Sequence, residues 1–111
     1  MVKVITLLKR KPGISREEFS RYWAKNHGPL IARVLPGVKR YVQNHSLKLG
    51  GRGEPQLDGV VELWYEDEKD WRASSDWYQS PAGKVVWDDE AKFIDRDKMV
   101  FFVAKEKVIK P

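Results

Sequence analysis

Cysteine is absent from this chain of 111 residues, which excludes disulfides, thiolate nucleophiles and thiolate metal sites. Histidine is nearly absent: only His27 and His45 occur, at no chelating spacing and with no carboxylate cluster around either, so no metal centre is expected. No apolar run approaches the roughly 20 residues that span a bilayer, and Met1 leads directly into strand-like sequence without a signal-peptide core. No membrane association is expected, and the expected location is cytoplasmic. Phosphate-binding glycine loops, dinucleotide fingerprints and nucleophile elbows are also missing, and no cofactor is expected. The net charge of +5 is not gathered into one basic stretch. Lysines and arginines are interleaved with acids, and no aromatic RNA-binding motif, zinc-finger spacing or helix-turn-helix pattern accompanies them, so nucleic acid is not an expected partner.

What remains is a soluble, globular composition, 41% hydrophobic and 33% charged, with five tryptophans. Its length suits one domain over 1–111 with room for one pocket. Strands are expected at Val2 to Leu8, Val38 to Ser46, Asp58 to Tyr65 and Met99 to Lys107, from apolar β-branched runs or alternation. The Gly-rich Leu49 to Pro55 segment reads as a mobile surface loop. Helices are expected from Ser15, over Glu66 to Ser75, and from the Ser80-Pro81 pair to about Phe93.

The first helix carries the strongest local signals. Ser15 followed by Glu18 has capping-box spacing, and Phe19, Tyr22, Trp23, Asn26 and His27 fall along one face. Gly28 and Pro29 are expected to end this helix, with another turn or two over Leu30 to Leu35. That leaves His27 at a helix end, facing inward, as a proton-transferring or orienting group or as a satisfied structural histidine.

The order strand, helix, strand, strand, helix, strand gives an α+β ferredoxin-like sandwich: a four-stranded antiparallel sheet with helices on one face. The other face needs a cover, since strands one and four are apolar on both sides. A second copy is the simplest cover, so a homodimer forming a dimeric α+β barrel is expected.

Over nearly its whole length the chain resembles the EthD-like family of dimeric α+β barrel proteins. The resemblance is carried by Lys9 to Ser15, by Phe19, Tyr22 and Trp23, by His27-Gly-Pro-Leu30, Pro36-Gly37 and Arg40 to Gln43, and by Val60 to Trp64 and Asp88 to Asp95. It implies the same fold and a small-molecule role. Relatives of this superfamily include a protein linked to ether degradation, a muconolactone isomerase, polyketide tailoring enzymes, cofactor-independent monooxygenases and haem-binding proteins, and fold does not choose among them. The matching positions are His27, Tyr41, Asn44, Glu62 and Trp64; the 47–56 loop is a departure.

Read from the residues, His27 and Glu62 are the candidate catalytic pair, with Tyr22, Trp23, Asn44, Trp64 and Trp87 as substrate-binding candidates around a hydrophobic or aromatic ligand. This requires the third strand to turn Glu62 and Trp64 toward the helices. The alternatives are a Glu62 paired to Arg40 on the neighbouring strand and tryptophans that simply fill the core. Tyr41 falls on the opposite parity from Asn44, His45 reads as a surface or dimer-interface group, and Asp88 to Glu90 read as a solvated helix side. Oxidoreductase chemistry of the monooxygenase kind is favoured, against an isomerase or dehydratase and against a non-catalytic ligand or haem binder.

Overall fold

The computed structural model describes residues 1–49 and 53–111. Residues 50–52 of the expected loop lie outside them. Strands β1 (Val2–Leu8), β2 (Val38–His45), β3 (Gly59–Tyr65) and β4 (Val100–Ala104) form one antiparallel sheet in the order β2-β3-β1-β4. Helices α1 (Arg16–Tyr22), α2 (Gly28–Val34), α3 (Glu68–Gln79) and α4 (Lys84–Glu90) cover one of its faces. This is the ferredoxin-like arrangement that the element order implies. Among the described residues no helix is long and apolar enough to cross a membrane.

The first helix begins as expected: Ser15 is extended, and its hydroxyl accepts from the Glu18 backbone N–H at 3.1 Å. It does not end at Gly28. Trp23–His27 form a π-helical turn, closed by the Gly28 N–H donating to the Trp23 carbonyl, and α2 continues directly from it. Gly28 is helical, with φ −56°, and Pro29 sits in the first turn of α2, where a missing N–H is tolerated. The wider turn also straightens the buried seam. In an α-helix each four-residue step overshoots a 3.6-residue turn by about 40°. A turn closed by i→i+5 bonds takes up more residues and reverses that drift. Phe19, Trp23, His27 and Ile31, all four apart, therefore all stay buried.

Parity along the sheet decides what faces the helices. A bulge between Val38 and Arg40 places Arg40 opposite Trp64 and Tyr41 opposite Leu63. Val38 therefore separates from Arg40, with which simple alternation would group it. Tyr41, Gln43 and His45 face inward with Val61 and Leu63, while Arg40, Val42 and Asn44 share the outer face with Val60, Glu62 and Trp64. The core gathers Leu8, Phe19, Trp23, Phe93 and Ile94 where α1 crosses the sheet.

The second helical region differs in detail from its expected limits. Asp67 rather than Glu66 opens α3, its carboxylate accepting from the Asp70 N–H at 2.9 Å, and the helix runs on to Gln79. Ser80 closes α3 by donating to the Trp77 carbonyl at 2.6 Å, and a short 3-10 turn, Pro81–Gly83, leads into α4. The last strand stops at Ala104, and the residues that follow it are exposed.

Candidate functional site

A cavity of about 200 Å³ lies between the helices and the inner face of the sheet. Its floor includes Val4, Thr6, Tyr41, Val61 and Leu63, its roof comes from the π-turn, α2, α3 and α4, and Phe101, 60% exposed, stands at its edge. The lining is mostly apolar. Its ionisable members are His27 and Glu90, with the hydroxyls of Tyr41, Tyr65 and Tyr78. A slot of this kind suits a small, flat, largely apolar ligand oriented by a few polar groups.

His27 is 5% exposed, and its ring lies against Phe93 with centroids 4.9 Å apart. Its Nδ1 is 2.8 Å from Oδ2 of Asp89 on α4, and the Tyr22 hydroxyl donates to Oδ1 of the same carboxylate at 2.5 Å. Burial pushes the Asp89 carboxyl up, but the Tyr22 hydroxyl, the His27 ring and Lys92 outweigh it and hold the group below the usual aspartate value. Burial, then the bond to Asp89, pushes the Tyr22 phenol up to about 12. An ionised carboxylate only accepts hydrogen bonds, so neutral His27 carries its proton on Nδ1. Nε2 is left with its lone pair and has no hydrogen-bond partner among the described residues.

Glu90, the next residue, turns the other way and lines the cavity at 7% exposure. It accepts from the Tyr78 hydroxyl at 2.6 Å, and Arg96 Nε stands 3.3 Å from the same oxygen. Burial raises its pKa against the opposing pull of Tyr78, His27 and Arg96. The Tyr78 phenol is pushed up to about 12, by burial first and Glu90 second. The last helix thus supplies one carboxylate held ionised behind His27 and another whose charge is disfavoured on the cavity wall.

The expected pairing of His27 with Glu62 does not occur. Glu62 and Trp64 are on the outer face of the sheet, because Val61, Leu63 and Tyr65 take the inward positions of β3. Glu62 pairs there with Lys3 of β1 at 2.8 Å and accepts from the Asn44 amide at 3.1 Å, so Asn44 is also outside the cavity. Lys3 and Asn44, helped by the charge of Arg40, hold the Glu62 carboxyl below its ordinary value. Trp64 lies between the Lys3 and Arg40 cations, 4.9 and 4.8 Å from its ring centre. Of the other substrate-binding candidates, Trp23 lines the cavity. Tyr22 acts behind it through Asp89, and Trp87 braces α4 by donating to the Tyr78 carbonyl at 2.7 Å.

His45, expected at the surface or a dimer interface, points inward and packs on Trp23 with centroids 4.4 Å apart; burial lowers its pKa. Asp89 and Glu90, read as solvated, are buried. A signal for them existed: Val86 and Phe93 flank them at helical spacing, so positions 89 and 90 fall within the same buried arc. Among the described residues no group of three or more histidines, cysteines or acids converges in a way that could hold a metal ion.

The fold recurs in solved structures. An EthD family protein from Bacillus halodurans aligns with a TM-score of 0.71 at 22% identity, covering 96% of this chain and 99% of that one. An EthD-like protein from Ralstonia eutropha aligns with a TM-score of 0.70 at 17% identity, covering 98% and 94%. A dimeric ferredoxin-like protein of unknown function from Thermobifida fusca gives 0.63 at 16% identity, covering 93% and 88%. At such identities these likenesses speak to the fold. No curated protein matches the chain in sequence. The EthD domain model, however, matches residues 11–97, spanning the helix that bears His27, strands β2 and β3, and the helix that bears Asp89 and Glu90, and on that match the chain belongs to the EthD domain family.

Proposed function

We propose that this protein is a small-molecule enzyme that uses His27, backed by Asp89, to take a proton from a hydrophobic or aromatic metabolite held in the cavity. The observation that carries the reading is the 2.8 Å contact between His27 Nδ1 and Asp89 Oδ2 at the wall of an apolar cavity. A carboxylate behind one ring nitrogen fixes the tautomer that offers the other as a base and stabilises the imidazolium formed on protonation. Glu90 and Tyr78 supply a second proton-exchanging group on the same wall.

Loss of a proton from an activated aromatic or lactone gives an enolate or phenolate. Reaction of that anion with dioxygen is a cofactor-independent oxygenation, the outcome we favour; reprotonation at another carbon is an isomerisation. Both begin with the step that the His27–Asp89 geometry supports. A haem-holding role fits less well, since about 200 Å³ is room for a benzene-sized ring rather than a porphyrin.

We assign the outer sheet face to a second copy of the chain. Ile5, Leu7, Val42, Val60 and Phe102 make it largely apolar around the Lys3–Glu62–Asn44 group, and the Thermobifida fusca neighbour is described as dimeric. The expected setting is the cytoplasm.

The test of the catalytic assignment is turnover of a panel of aromatic and lactone substrates by wild type and His27→Ala. A fall of about 10²- to 10⁴-fold is expected for the loss of a general base. Full activity in the variant refutes the assignment.

A further inference from the structure

Two residues that line the cavity, Trp23 and Tyr41, carry hydrogen-bond donors with no acceptor among the described residues. Trp23 is 0% exposed, and its indole N–H has no hydrogen-bond partner among the described residues. Such an orphaned donor is rare in a core and costs stability unless something else satisfies it. The second donor is the Tyr41 hydroxyl. Its oxygen accepts from the Gln43 amide at 2.8 Å, and no acceptor for its own proton occurs among the described residues. The two groups are neighbours: the Trp23 indole approaches the Tyr41 oxygen closely enough to help offset the upward push of burial on that phenol, without completing a hydrogen bond.

The surrounding network fixes these roles. Gln43 uses one amide hydrogen on Tyr41 and the other on the Trp23 carbonyl, at 3.0 Å. Its oxygen therefore faces His45 Nε2, at 2.8 Å, which must donate. Hydrogen bonds so aligned polarise one another, from His45 through Gln43 to Tyr41, and the last proton in the series is the one without an acceptor. Gly28 permits the arrangement, because a Cβ there would stand 2.8 Å from Gln43 Nε2.

We propose that Trp23 Nε1–H and Tyr41 Oη–H together bind one oxygen atom of the ligand, so that the cavity selects a phenol, enol or conjugated carbonyl over an unoxygenated ring of equal size. The inference rests on the cavity being the substrate site, as argued above. In that setting the pair has a second use: when His27 removes a proton, negative charge gathers on this oxygen, and two preorganised donors away from bulk water stabilise it. Trp23 and Tyr41 are then the specificity-determining residues, with His27 the base.

The test uses the full chain with ¹⁵N-labelled tryptophan and two probes of nearly equal shape, 4-fluorophenol and 4-fluorotoluene. Binding is followed by ¹⁹F signals and by the indole N–H resonance absent from Trp23→Phe. The phenol should bind about tenfold or more tighter than the toluene, the scale of one or two satisfied buried donors, and should move the Trp23 resonance downfield while the toluene does not. Tyr41→Phe should lose most of the preference while holding the toluene as wild type does. Because Trp23→Phe removes a core side chain, Tyr41→Phe is the deciding variant. Equal binding of both probes, or an indole resonance that contacts only water and ignores the phenol, overturns the donor pair and leaves the cavity assignment standing. If neither probe binds, both fall.

Discussion

Replacing Gly59 with alanine adds a single methyl group, and the geometry gives two opposed terms. Gly59 is in β3 at an ordinary backbone conformation, so alanine is sterically allowed there and should gain about 0.5–1 kcal/mol by restricting the unfolded chain. Against this, the new Cβ would stand 2.4 and 2.7 Å from two carbons of the six-membered ring of Trp23. Ordinary contact needs roughly 1 Å more, and the indole, 0% exposed and packed on Phe19 and His45, has nowhere to move cheaply. Overpacking of this kind costs typically 1–3 kcal/mol. The overlap should win by about 1–2 kcal/mol, a fall in Tm of roughly 4–10 °C for a chain of this size. Thermal unfolding followed by circular dichroism reads this directly. In a Trp23→Phe background the clashing ring is gone, so the penalty should vanish and alanine should become neutral or mildly stabilising, a coupling that a double-mutant cycle isolates. A Tm that rises in the single variant, or an equal penalty in both backgrounds, refutes the placement of Trp23 against β3 and with it the wall of the cavity.

Asp89→Asn should lower stability at neutral pH by about 1.5–3 kcal/mol, the loss of one of two charge-assisted hydrogen bonds. Because Asp89 is held below its ordinary value of 3.8, its contribution is present above that pH and lost as pH falls through the folded-state value, so the gap to wild type should close in acid; a gap constant with pH refutes the assignment. Glu90 has the opposite sign. Its pKa is raised above 4.5, so wild type gives up stability as pH rises from 4.5 through the folded-state value, and melting curves should show Glu90→Gln gaining on wild type over that window and level above it. Leu7→Asp on the outer face should sediment at the 13.0 kDa chain mass while wild type sediments at twice that, and a monomeric wild type removes the second copy from the barrel.

The order of apolar runs and breaks, with Ser15 as a cap, determined the four strands and the helices between them, because these depend on periodicity and local backbone chemistry, and their succession implied the ferredoxin-like sandwich. The helical spacing that buries Phe19, Trp23 and His27 was legible for the same reason. Which face of the sheet met the helices was not, since a two-residue period marks two faces without saying which is inside. That choice sent Glu62, Asn44 and Trp64 outward and brought Tyr41, Gln43 and His45 in. The continuation of the first helix through Gly28 and Pro29 also needed the fold, which sets a π-turn where local propensity reads a stop. The carboxylate behind His27 lies 62 residues further along the chain. Only the packing of α4 against α1 and the turn that follows it makes Asp89 its partner, and no spacing rule connects residues so far apart in sequence.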